Sequence, residues 1–169
     1  MNVVGTHSFT ERMIGAARLD IAIYEEVEAD TTATTQAAGV VAIVALASAI
    51  GGIGDGAQGA IGGLFGAIVG WLLWAGITYL IGDKVLGGTA TWGELLRTLG
   101  FAQAPGVLMA LALVPLLGGV VAFVVGLWVL VAGVIAIRQA LDFGTGRAIA
   151  TALLGFIPYI LLGVLIGAG

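Results

Sequence analysis

Apolar residues follow two different rhythms along this chain. Between residues 9 and 24 they recur every three or four positions, at Phe9, Met13, Ala17, Ile21 and Tyr24 with Ile14 at the edge, while Glu11, Arg12, Arg18, Glu25 and Glu26 fall opposite. That is the pattern of an amphipathic helix. Ser8 and Glu11 fit a capping box, in which the serine oxygen accepts from the Glu11 amide and the carboxylate reaches back, so one helix of about five turns is expected from residue 9. Beyond the polar, threonine-rich residues 30–36 the rhythm gives way to near-continuous apolar runs. At about 20 apolar residues per bilayer crossing, these read as five spans, at about 37–53, 58–81, 101–117, 119–137 and 148–168.

Glycine and proline punctuate the runs. Residues 51–59 contain a formal GxGxxG at Gly54, Gly56 and Gly59, but no strand precedes it and no Lys-Ser/Thr follows, so an inter-helix turn is expected and not a phosphate cradle. Gly62, Gly66 and Gly70 share one face of the second span, and Gly119, Gly126 and Gly133 repeat every seven residues in the fourth, both readable as small-residue packing seams. Residues 82–100 form the longest polar connection, with Tyr79 and Trp92 placed like interfacial anchors. Pro105 and Pro115 sit near span ends, where a missing N–H costs least, and Pro158 is expected to kink the last span.

Composition makes the membrane reading hard to escape. The 169 residues are 60% hydrophobic and 9% charged with a mean hydropathy of +1.14, where a soluble domain carries about 25% charge. The net charge of −4 excludes a nucleic-acid surface. The chain has no cysteine, and with it no disulfide framework, thiolate nucleophile or cysteine metal site. Residues 1–35 hold six acids and two arginines, unlike a signal peptide, so Met1 is expected to be the mature start. That balance also speaks against a basic, lipid-hugging helix; the acidic face is expected to stay solvated or to meet a basic partner. All six bases (Arg12, Arg18, Lys84, Arg97, Arg138, Arg147) fall on one side of the five-span scheme. The positive-inside rule then puts the N-terminus in the cytoplasm and the C-terminus outside.

Candidate chemistry is sparse. His7 stands alone in the tail as an ordinary polar residue before the Ser8 cap, and Glu25, Glu26, Glu28 and Asp30 are expected to be solvated. No catalytic, cofactor-binding or metal-ligating residue is identified, and no enzyme or cofactor is expected. Polar groups at membrane depth are limited to Ser48, Thr78, Thr151 and Tyr159, with Gln103 near one end. Such groups suit interhelical hydrogen bonds better than a coupling-ion site. A small-solute or ion channel or transporter stays open as an alternative, as does a membrane-shaping protein that wedges its N-terminal helix into the bilayer.

Several stretches together are familiar. Residues 12–20 (RMIGAARLD) and 24–30 (YEEVEAD), leading into Gln36-Ala37, resemble the lead-in of prokaryotic Yip-domain membrane proteins; residues 87–105, with Trp92, Gly93, Gln103 and Pro105, are similar to that family's central segment, and Leu127-Trp128 with residues 136–143 and Arg147-Ala148 to its later signature. The resemblance implies an all-α, five-span domain over 36–169 behind a cytoplasmic N-terminal segment over 1–35. Eukaryotic relatives act in vesicle traffic with Rab GTPases through a longer N-terminal region. For this chain the implication is an integral protein of the cytoplasmic membrane without catalytic residues. It is expected to work as a scaffold or adaptor through the bilayer and a protein partner or a second copy of itself, with no nucleic acid.

Overall fold

In the computed structural model, which describes residues 6–167, Ser8 caps the first helix as its sequence predicts: the Glu11 amide donates to Ser8 Oγ at 3.4 Å and the Ser8 amide donates to Glu11 Oε2 at 2.7 Å. The reading of Met1 as the mature start, the end of the last span at residue 168 and the Tyr159 side chain lie outside the described residues. All regular secondary structure among the described residues is helical, with no strand.

The first helix is not five turns long. α1 (Phe9–Ala17) stops where Leu19 takes a left-handed backbone with φ 64°, and Asp20 caps a second helix, α2 (Ile21–Ala29), by accepting the Ala22 N–H at 3.0 Å. The physical reason is Arg12. On one continuous helix its partners Glu26 and Asp30 would stand more than about 20 Å away along the axis, and only a fold-back brings all three together. The break leaves the apolar period unchanged in the sequence, so periodicity alone does not reveal it.

α3 (Ala33–Gly52) and α4 (Gly56–Thr78) follow, joined by a 3₁₀ turn at Ile53–Asp55 that ends on Gly56 with φ 78°. The two run antiparallel with backbones in contact, since a Cβ at Gly59 or Gly63 would overlap the carbonyls of Gly52 or Ser48. The expected seam is thus displaced by one register: Gly59 and Gly63 face α3, with Gly70 buried farther along, while Gly66 faces open space. A π-helical turn, Tyr79–Val85, closes this stretch.

The expected polar loop before the third span is mostly helix. α5 (Trp92–Ala102) starts from a second capping box, Thr91 with Glu94, and then bends by 41° into a 3₁₀ ribbon, Ala104–Leu113. The straight third span expected over 101–117 is this bent pair. Pro105 begins the ribbon, where its missing N–H leaves no gap in the bonding. α6 (Gly118–Ala140) and α7 (Thr145–Gly167, containing Pro158) complete the bundle.

Trp74 locks these helices together. Its ring lies against Gly133 of α6 and Gly155 of α7, meets Phe156 edge-on at 5.2 Å, and donates its N–H to the Ala152 carbonyl at 3.3 Å. Of the expected heptad glycines only Gly133 therefore packs; Gly119 and Gly126 face open space. Outward, Phe65, Leu72, Phe123, Val124, Leu153 and Leu154 are exposed, the arrangement of a protein whose solvent is lipid. Two helical stretches, Ala33–Val85 and Gly118–Ala140, are long and apolar enough to cross a membrane, or three if the bent pair is one span. The first of them is the α3–α4 hairpin just described.

Candidate functional site

α1 and α2 fold against the bundle as a cap, with Glu25 at Gln139 near the end of α6 and the elbow at Trp128 midway along it, and two arginines fasten it. Arg12, 1% exposed, donates from Nε to Glu26 at 2.9 Å, from Nη2 to Asp30 at 2.7 Å and from Nη1 to Gln36 at 3.0 Å. It thereby ties α1 to the end of α2 and the start of α3. Arg97 on α5 donates from Nε to the Val27 carbonyl at 3.1 Å and from Nη2 to the Glu28 carbonyl at 2.6 Å. These are among the last carbonyls of α2, which have no partner within the helix and suit a cation.

Smaller contacts complete the fastening. Glu25 accepts from Gln139 of α6 at 2.8 Å and Phe9 lies over Gly39, while beside the cap Thr89 donates to Asp142 at 2.8 Å and joins the start of α5 to the end of α6. Tyr79 and Trp92, expected as separate anchors, meet edge-on at 6.2 Å.

The expectation of a solvated acidic face therefore holds only for part of it. Glu26 and Asp30 are occupied by Arg12, and His7, expected to be an ordinary tail residue, sits 2.6 Å from Glu26 through Nδ1. Burial pushes the Glu26 carboxyl up, but the hydrogen bonds from His7, Arg12 and Thr6 outweigh it and hold it down at about 2. Glu28 goes the other way: its burial, with the neighbouring charges of Glu94 and Asp142 and despite Arg97, pushes it up to about 7. The hydrogen bond to Glu26 raises His7 above 6.5. Glu25 of the cap and Asp142 beyond α6 are exposed, and the half-buried Glu28 and Glu94 stand close by, so that four carboxyl groups cluster where the cap meets the bundle.

These shifts set a pH profile for the cap. Protonated His7 contributes stability that is fully present below 6.5 and is lost as pH rises through its raised value. Glu28, also raised, contributes stability present below 4.5 and lost as pH rises through about 7. Glu26, depressed, contributes above 4.5 and loses that only as pH falls towards about 2. Hydrogen exchange of α1 and α2, corrected for intrinsic rates, should therefore quicken as pH rises from 4.5 to about 7 through Glu28, and further above 6.5 through His7. The double variant His7→Gln, Glu28→Gln should flatten the profile; an unaltered slope in that variant would remove the explanation.

Among the polar groups expected at depth, Thr151 donates to its own helix at the Arg147 carbonyl, 2.9 Å, as Thr98, outside that set, does to Glu94. Thr78 Oγ1 and Gln103 Nε2 are buried without a hydrogen-bond partner. Among the described residues no group of three or more His, Cys, Asp or Glu side chains is placed to hold a metal ion.

Sequence reasoning missed the roles of Arg12, Arg97 and Glu94. Thr91-Trp92-Gly93-Glu94 repeats the rule that located the Ser8 cap, so the start of α5 was readable. The burial of Arg12 had no such signal, because it depends on partners brought close only by the fold-back.

A family model, the Yip1 domain, matches residues 25–168. The match begins inside α2 and takes in the whole bundle. No curated protein and no solved structure matches the chain.

Proposed function

Because the chain belongs to the Yip1 domain family of membrane proteins, we propose that it is a non-enzymatic scaffold of the cytoplasmic membrane. It acts through a protein partner, or a second copy of itself, at its cytoplasmic face. The observation that carries this reading is the fastened cap: Arg12 and Arg97 hold α1 and α2 in one place, so that Glu25, Glu28, Glu94 and Asp142 form a fixed acidic surface. A fixed surface loses less freedom on binding than a loose tail.

Five crossings, by α3, α4, the bent pair, α6 and α7, are the arrangement that we infer. In support, five of the six bases, Arg12, Lys84, Arg97, Arg138 and Arg147, lie towards the capped end, and the turns at Ile53–Asp55 and residues 114–117 at the other carry no base; Arg18 departs from the expected one-sided set, standing at the elbow beside the middle of α6. The positive-inside rule then turns the capped end to the cytoplasm and the C-terminus outside.

Purification from native membranes in mild detergent tests the reading. A stoichiometric companion or second copy is expected, lost by about tenfold when Glu25, Glu28 and Asp142 are all changed to glutamine, since each charge removed from such a contact is worth a fraction of the 1.4 kcal/mol that a factor of ten requires. A companion retained unchanged by that variant would sink the acidic surface as the contact. The rival reading, passage of a small neutral solute, has in its favour the unpartnered Thr78 hydroxyl and Gln103 amide. It predicts a protein purified alone that supports flux in liposomes.

A further inference from the structure

The elbow between α1 and α2 is built to lie in lipid. The last four carbonyls of α1, which have no partner within the helix, all find protein donors. Ile14 accepts from the Arg18 amide at 2.9 Å, Gly15 from the Asp20 amide at 3.0 Å, and Ala16 from both the Leu19 amide and the Tyr24 hydroxyl at 3.0 Å. Ala17 accepts from the indole N–H of Trp128 on α6 at 2.8 Å. The Leu19 and Asp20 amides make the usual left-handed helix end around Leu19; the side-chain donors of Tyr24 and Trp128 go beyond it and close the remaining carbonyls, as an end lying in hydrocarbon requires.

Its position agrees. Trp128 lies ten residues from the Gly118 end of α6, about 15 Å along the axis, so the elbow reaches roughly halfway up the span. Ile14 and Ile21 are exposed there, beside the outward stripe of α6. Between the elbow and that stripe runs an apolar groove of about 340 Å³, lined by Leu19, Phe123, Val124, Leu127, Trp128 and Val131. Arg18, the chain neighbour of Leu19 in the groove wall, is exposed and without an ion-pair partner among the described residues. The neighbouring carboxylate, Asp20, is turned to the Ala22 amide.

We propose that this elbow is a phospholipid site, with an acyl chain along the groove of α6 and the phosphate drawn in to the guanidinium of Arg18. A phospholipid supplies both chemistries at one spacing. The groove continues a lipid-facing surface, and arginine matches a phosphate with a fork of donors. At this depth the stem alone does not reach the headgroups, so the guanidinium draws the phosphate down to it and the bilayer thins locally beside the elbow.

The test uses the full chain in nanodiscs of phospholipid carrying a diazirine in the acyl chain, with labelled positions mapped by mass spectrometry. Label should concentrate on the elbow and residues 123–131 over the equally exposed outer face of α4. One phospholipid should also remain bound through mild-detergent native mass measurement. Arg18→Gln should lower that retention about tenfold and Arg18→Lys much less, as expected for a charge-assisted contact to phosphate. Val124→Trp, which fills the groove from the lipid side and leaves Arg18 in place, should lower the label. Labelling in proportion to exposure along α4 and α6 alike, or retention indifferent to Arg18→Gln, would overturn the site and leave only bulk lipid around the bundle.

Discussion

Arg12→Met is expected to release α1 and α2 from the bundle while the helices beneath stay folded. Removing the guanidinium leaves Glu26 and Asp30 side by side and mostly covered, with Gln36 short of a donor. Breaking a buried pair by deleting one partner costs about 3–5 kcal/mol. The two carboxylates keep some contact with water here, so a loss near the lower end, about 3 kcal/mol, is expected for the cap. Hydrogen exchange should show residues 9–29 losing protection by about two powers of ten, and protease should begin to cut at the elbow. The cores of α4, α6 and α7 should keep their exchange rates. If α1 and α2 stay as protected as before, the cap is held by its apolar contacts and Arg12 is incidental.

Gly133→Ala should damage the bundle itself. A Cβ at that position would overlap the six-membered ring of Trp74, and the indole cannot retreat because Gly155 and Phe156 hold its other side and Ala152 its N–H. Overpacking of this kind costs about 1–3 kcal/mol. Trp74→Ala, which empties the same space, should cost about 3–5 kcal/mol. Both read out as lower midpoints when the protein is unfolded by SDS from mild detergent. The decisive variant is the double Gly133→Ala, Trp74→Phe, in which the smaller ring makes room for the methyl. It should be more stable than the sum of its two changes predicts, and strict additivity would mean that the two residues do not share the space.

Some of this architecture could be read directly from the residues. The Ser8 cap, the turn at Gly56 and the apolar stretches each follow from a local rule with one outcome. The glycine seam of α4 did not, because a four-residue spacing is satisfied equally by Gly59 with Gly63 and by Gly62 with Gly66 and Gly70, and only the placement of α3 chooses between them. α5 falls within the expected polar connection because in the sequence its charges, Glu94 and Arg97, outweigh its leucines; the first is a cap and the second is buried against carbonyls of α2. The cap as a whole lies beyond local reading. Leu19 is an unusual residue for a left-handed turn, at a cost of roughly 1–2 kcal/mol, and contacts between Arg12, Glu26, Asp30 and Gln36 in the finished fold are what sustain it.

The 3₁₀ ribbon at Ala104–Leu113 has a consequence for length. Ten residues wound this way rise about 20 Å, against about 15 Å as an α-helix. The chain thus covers extra depth with few residues, using the weaker of the two hydrogen-bond patterns. The 5 Å or so that separates the two windings is close to the difference in thickness between thin and thick cellular bilayers. Rewinding of this ribbon is therefore the change we expect first when the host bilayer is thinned or thickened, ahead of any in α4 or α6.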